Sequence, residues 1–218
     1  MHMASRQAGV AGLCATVLAA AAIAVVGTAP DADAGTAELQ AYAAAHKNGI
    51  VVSFVLFQLA MPFLFVFFAG LAKTVAGANG EASALASGGF AGGVGLQVVA
   101  LAGAIPFVAA VWRGADESVL RTTYDANLLA LYALTAGLSI ASVLLPTLAG
   151  FVTRTLPAWT AVPAAIVVAA YIGELAGFVL YDTGPMALGV APGLIAVPGW
   201  TLWMGLVSIA LLRRSRAN

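Results

Sequence analysis

Apolar positions run through this chain in six long blocks rather than in the interrupted stripes of a water-soluble helix. Each block reaches about 20 residues, the length a helix needs to cross a hydrocarbon core. The pattern predicts spans at about Gly9–Ala29, Gly49–Leu71, Ser87–Trp112, Ala126–Val152, Trp159–Tyr181 and Pro192–Leu212. Turn and breaker residues gather between them, in APDADAG, GANGEAS, RGADES, TRTLP and DTGP. The short connections leave no soluble domain. The expected fold is therefore an all-α, polytopic six-helix membrane bundle over residues 1–218.

The longest connection contains TAELQAYAAAHKN. Thr36 is placed as an N-cap and Glu38 falls in the first turn. A short helix lying on the outer surface is expected, with Leu39, Tyr42 and His46 on one face. His46 is a candidate gate or proton carrier at the outer mouth; beside Lys47 it also reads as an ordinary interfacial histidine. DAGTAELQAYAAAHKNG and GADESVLRTTYDANL share an order of acidic residue, Leu, Tyr and Asn, an echo that common outer-loop chemistry explains as well as duplication does.

Composition sharpens the picture. The chain is 62% hydrophobic and 8% charged, against about 25% charged in a soluble domain. Mean hydropathy is +1.00. Charges this few cannot cover a wetted surface, so lipid is the expected partner. The scattered basic residues form no face that would bind nucleic acid. Cys14, the single cysteine, reads as an apolar helix residue. The first block, between Arg6 and TAPDADA, also has the outline of a signal peptide, but it is long for a signal core.

Lys and Arg set orientation. With six spans, one side holds Arg6, Lys73, Arg154, Arg213, Arg214 and Arg216, and the other holds Lys47, Arg113 and Arg121. Seven acidic residues lie on the second side, leaving it at −4, and only Glu81 lies on the first. Both termini are therefore expected in the cytoplasm of a multi-pass cell-membrane protein. Trp112, Tyr124 and Tyr181 at outer ends, and Trp159 at an inner end, fit interfacial anchors.

Three stretches, RQAGVAGL followed by an acidic loop and AELQAYAAAH, RTLPAWTAVPAAIVVAAYIGELAG with its Leu-Pro-x-Trp start, and the closing GWTLWMGLVSIALLRR, carry a resemblance. The chain resembles a family of uncharacterised six-helix membrane proteins of high-GC Gram-positive bacteria. That resemblance implies the fold and supplies no catalytic residue.

Ionisable groups inside a span are costly, which makes them functional candidates. Glu174 is the clear case. It shares a helical stripe with Tyr171, Phe178 and Tyr181, beside Gly173 and Gly177. Tyr132, Thr135, Ser139 and Ser142 make a matching stripe on the fourth span. Counting in from the outer ends at 1.5 Å per residue puts Glu174, Tyr132, Thr135 and Gln58 at similar depths, about 9–13 Å. Pro62 also frees the Gln58 carbonyl at that level. Glu174, Tyr171, Thr135, Tyr132 and Gln58 thus form the candidate cluster. The same polar residues serve equally as interhelical glue, worth about 0.6 kcal/mol per bond. Asp182 at the outer surface is a weaker catalytic candidate. Trp200, Trp203 and Met204 either wall an apolar pocket or fill core. Prolines at 62, 106, 146 and 198 raise the prospect of cavities lined by freed carbonyls. Gly88/Gly92 and Gly89/Gly93 are small-xxx-small packing pairs.

No HExxH, Cys/His cluster, Asp-rich diphosphate motif, G-x-S-x-G or Walker loop is present, and no cofactor is expected. Three functions fit. The first is a protein that holds a small apolar or amphipathic ligand in the outer half of the bundle. The second is a membrane-embedded lipid or isoprenoid cyclase or isomerase with Glu174 as general acid and Tyr171 or Asp182 assisting. The third is a proton-coupled carrier.

Overall fold

A computed structural model describes residues 2–76, 80–180 and 191–217. The described helices are α1 (His2–Val26), α2 (Thr36–Ala76), α3 (Gly80–Arg113), α4 (Glu117–Leu128), a π-helical turn (Leu129–Leu134), α5 (Thr135–Val152), a 3₁₀ turn (Ala158–Thr160), α6 (Ala161–Leu180) and α7 (Ala191–Ala217). The segments α4, π-turn and α5 form one continuous rod, so six rods are long and apolar enough to cross a membrane. The fold is an all-α six-helix bundle. Neighbours around it follow chain order, α1 to α2 to α3 to α5 to α6 to α7, and α7 returns to α1 to close a ring.

Small residues let the rods approach. In α1 the face Ala8, Ala11, Ala15, Ala19 and Ala22 is buried at a helical period. Gly12 lies so close to its neighbours that a Cβ there would stand 2.0 Å from Ser208 Oγ and 2.5 Å from the Phe67 ring. The paired glycines of α3 behave as the spacing predicts: Gly89 backs onto Pro146, Gly92 onto the α5 backbone at Leu138 and Ser142, and Gly93 onto Phe68. The middle of the ring is filled by aromatics from α2 and α7. Phe67 meets Trp203 edge-on at 6.3 Å and Phe68 meets Trp200 at 6.1 Å, within the range of favourable ring pairs. Trp203 and Met204 are fully buried, so these residues fill core. Phe63 and Phe65, on the same helix, face outward as expected of phenylalanines spread around a span.

Two boundaries differ from expectation. The TAELQAYAAAHKN segment does not lie on the surface as a separate helix; it runs straight into the second span. The reason is phase: Leu39, Tyr42 and Ala43 share a buried face with Ile50 and Ser53, and Gly49 between them is no breaker. Gly49 instead admits α1, since a Cβ there would stand 2.4 Å from the Val25 carbonyl oxygen. Likewise Glu117–Asp125 is helical and continues into the fourth span. At 1.5 Å per residue the 41 residues of α2 extend about 60 Å, twice a hydrocarbon core.

The projecting ends of α2 and α4 pack with the end of α3 into a cap at one end of the bundle. Its core is Leu39, Tyr42, Ala43, Ile50, Phe107, Ala110, Val111, Leu120 and Tyr124. Tyr124 is therefore buried at 2% exposure and is not an interfacial anchor, whereas Trp112 and Trp159 are exposed as anchors should be. The cap clamps the loop after α1. Arg121 donates to the carbonyls of Ala34 (2.6 Å) and Ala32 (2.5 Å) and pairs with Asp125 at 2.9 Å. The Tyr124 hydroxyl donates to Pro30 O, and the Tyr42 hydroxyl to Val26 O. Asp116 caps α4 by accepting from Val119 N at 3.0 Å and Ser118 Oγ at 2.9 Å. The prolines open no interior here. Pro62, Pro106 and Pro198 sit on exposed faces, and Pro146 is packed by Gly89.

Two predictions follow the packing. Gly12→Ala should lower the unfolding temperature in detergent, at a cost of about 1–3 kcal/mol for overpacking. Gly137→Ala, with nothing within 4 Å of its Cβ, should be neutral or slightly stabilising. The hydrogen bonds from Val119 N and then Ser118 hold the Asp116 carboxyl below its ordinary range. A lowered folded value means that the cap adds stability above the ordinary carboxyl value of about 3.9 and loses it as pH falls further. Asp116→Asn, which still caps, should show a smaller loss of melting temperature than the parent chain when both are scanned from neutral pH into that acid range.

Candidate functional site

Helix α6 buries Ala164, Val167, Ala170, Tyr171, Glu174 and Gly177 on one face. Glu174 is 0% exposed, and Tyr171 is buried beside it on the next turn. Glu174 lies six residues before Leu180, about 9 Å from the end of the described helix. The predicted stripe holds for Tyr171 and Glu174 and fails at Phe178, which is exposed with the rest of the last turn; Gly177 carries the buried face on.

Opposite Glu174, the fourth span leaves α-helical geometry. The π-turn Leu129–Leu134 presents Tyr132, and Thr135 opens α5 directly after it. Isolated π-turns concentrate at functional sites because they re-aim side chains within a continuous rod. This one lies where α3 passes close: a Cβ on Gly103 would stand 2.0 Å from Ala130 Cβ. Tyr132 and Tyr171 both lie within electrostatic reach of the Glu174 carboxyl, and the Ser139 hydroxyl lies beside that of Tyr171.

The third wall comes from α7. A Cβ on Gly193 would stand 2.8 Å from Glu174 Oε1 and 3.0 Å from Tyr132 Cε1. Only a residue without a side chain fits between the carboxyl and the ring. Gly193 belongs to the first described turn of α7, next to Pro192.

The fourth-span stripe is buried as expected: Thr135, Ser139 and Ser142 are all 0% exposed. Its chemistry is mostly local. Thr135 donates to Leu131 O, Ser142 to Ser139 O at 2.8 Å and Thr147 to Val143 O at 2.6 Å, so these hydroxyls satisfy themselves on their own helix. An interhelical bond on this stripe runs from Trp200 Nε1 to Ser142 Oγ at 3.0 Å. Trp200 is seven residues beyond Gly193, about 10 Å further along the α7 axis, and joins α7 to α5 rather than lining the carboxyl.

Three other candidates fall elsewhere. Gln58 is exposed on the outside of α2, because its depth matches the cluster but its angular position does not. His46 belongs to the cap formed by α2, α3 and α4. Its ring stacks on Tyr42 at 4.7 Å, its Nδ1 lies 3.2 Å from Tyr42 O, and a Cβ on Gly27 would stand 3.2 Å from its Nε2. Asp182 and Tyr181 lie outside the described residues. The site is thus Glu174, Tyr171, Tyr132, Ser139 and Gly193, with Thr135 behind the π-turn. Gly193 and the π-turn were not anticipated. The glycine left a faint signal, a small residue after a proline at the start of a span.

A separate groove, lined by Val51, Phe54, Ile105, Val108, Ala109 and Trp112, lies between α2 and α3. Its lining is wholly apolar and shares no residue with the Glu174 group. Among the described residues no group of three or more His, Cys, Asp or Glu side chains could hold a metal ion. The chain matches no known protein-family model, no curated protein and no solved structure.

The tight fit around the carboxyl makes a prediction. Gly193→Ala should destabilise by about 1–3 kcal/mol through overpacking against Glu174 and Tyr132. Gly173→Ala, whose nearest contacts are ordinary at 3.5 Å to Pro192, should cost little. Thermal unfolding of both variants in one detergent compares them directly, and equal melting points would contradict the geometry.

Proposed function

We propose that this is a multi-pass cell-membrane protein, with both termini cytoplasmic, that holds a small amphipathic ligand in the outer half of its bundle. Glu174 is its recognition group. The observation that carries the reading is the complete burial of that carboxyl against Tyr132 and Tyr171, beside a π-turn and a glycine that leaves it room. A charged side chain at mid-membrane costs about 2.5–3.5 kcal/mol on insertion scales. One interhelical hydrogen bond returns about 0.6 kcal/mol. A glutamine would give the same glue without the charge, so structure alone is a poor reason for an acid here. The ligand that fits has a hydrogen-bond-donating or cationic head for Glu174 and an apolar body for the surrounding aliphatic and aromatic walls.

The flanking phenols favour one second reading. With Tyr171 and Tyr132 beside it, Glu174 also has the surroundings of a general acid acting on a lipid or isoprenoid double bond.

Mass spectrometry of small molecules co-purifying with the protein tests both. The binding reading expects a compound near stoichiometric amounts in the parent chain, reduced at least about tenfold in Glu174→Gln at unchanged melting temperature; a loss of about 1.4 kcal/mol is enough for that factor. Tyr171→Phe should retain an intermediate amount. The enzymatic reading expects Glu174→Gln to accumulate an unreacted compound that the parent chain converts. Identical small-molecule content in parent and Glu174→Gln would defeat both.

A further inference from the structure

Gln58 stands in the one place on α2 where a polar side chain has least reason to be. It is exposed, and its amide makes no hydrogen bond to the described residues. It lies eleven residues from Lys47 and fifteen from Lys73, the basic residues that flank the span, or about 17 and 22 Å along the axis. A glutamine side chain cannot reach either membrane surface from there. Pro62, four residues on and inside the same helix, supplies no N–H to the Gln58 carbonyl. Two amide donors, an amide acceptor and a freed backbone carbonyl therefore gather at one point of a surface that faces hydrocarbon, where water cannot satisfy them.

The residues around it form a continuous seam. Val55, Gln58, Pro62, Phe65 and Ala69 are all exposed and follow one another at spacings of three, four, three and four. That alternation is the a/d repeat along which two helices pack in a left-handed crossing, the commonest arrangement in membranes. Gln58 occupies a d position of the repeat, one step before its central Pro62.

We propose that this seam is the interface of a parallel homodimer in which Gln58 of each copy hydrogen-bonds to Gln58 of the other. The occupant is a second copy for two reasons. Copies inserted in the same orientation are related by a two-fold axis along the membrane normal, which brings identical residues together at identical depth. Glutamine carries both donor and acceptor, so it is complementary to itself, and its freed carbonyl accepts the remaining amide hydrogen. The interface lies on the outer flank of α2. It leaves the Glu174 group inside each bundle and does not depend on what that group binds.

Dimerisation of the full chain in liposomes, measured by single-molecule photobleaching or energy transfer across protein-to-lipid ratios, tests the proposal. The parent chain should dimerise. Gln58→Leu should raise the dissociation constant by about three- to tenfold for the loss of interhelical hydrogen bonds. Gln58→Asn, which keeps donor and acceptor, should restore part of the effect. Because Gln58 is exposed, melting of Gln58→Leu in detergent should match the parent, which separates lost association from lost folding. In a Cys14→Ser background, Val55→Cys and Phe65→Cys should cross-link between copies, while Val98→Cys on the exposed face of α3 should not. A parent chain that stays monomeric at the highest ratio, an unchanged constant for Gln58→Leu, or cross-links through Val98→Cys instead would overturn the interface. Cross-linking of Val55→Cys to a different polypeptide in native membranes would overturn the choice of partner.

Discussion

Hydrocarbon offers helices no hydrophobic reward for meeting one another, so this bundle depends on how closely its backbones can approach. Alanine and glycine are where they do. The α1 alanine face, Gly12 against Ser208 and Phe67, Gly89 against Pro146 and Gly103 against Ala130 are points where the addition of one methyl forces a shift. Dispersion between close backbones is the return, and it falls steeply with small gaps. The aromatic centre formed by Phe67, Phe68, Trp200 and Trp203 fills the volume that rods of small residues alone would leave open.

Against that background the carboxyl of Glu174 is buried among three rods. Gly193 of α7 stands against it, and the phenols of Tyr132 and Tyr171 lie within its electrostatic reach. Each feature sits on a different rod or on a break in one. The group is therefore sensitive to the relative placement of α5, α6 and α7, and small movements among them change what surrounds the acid. Most of the fourth-span hydroxyls are quieter: Thr135, Ser142 and Thr147 bond to their own helix, Ser142 also receives Trp200, and Ser139 lies beside Tyr171.

The six spans were legible because each is a run of apolar residues, a signal that needs no tertiary information. The boundaries at Thr36 and Glu117 were not, because polar residues beyond the membrane look like loop whether or not the helix continues; phase with Ile50 and Ser53 was the clue. Glu174 could be picked out by composition, and its neighbours Tyr171 and Tyr132 by helical spacing. Gln58 was placed wrongly because depth was matched without angle. Tyr124 looked like an anchor because its position at a span end hides the cap that buries it. The π-turn has no breaker to announce it in LLALYAL, and Gly193 acts through Glu174, nineteen residues before it in sequence.

The clamp on the loop after α1 has a consequence for biogenesis. The loop carbonyls of Pro30, Ala32 and Ala34 wait for Tyr124 and Arg121, which emerge about ninety residues later in synthesis. The first hairpin must be threaded into the membrane before its own connection can be finished. Completion requires the second hairpin to arrive on the same side. A chain inserted with one rod reversed would strand Arg121 across the bilayer from the carbonyls it serves. The clamp is thus a checkpoint on threading, closed only by chains whose first three crossings are in the right sense.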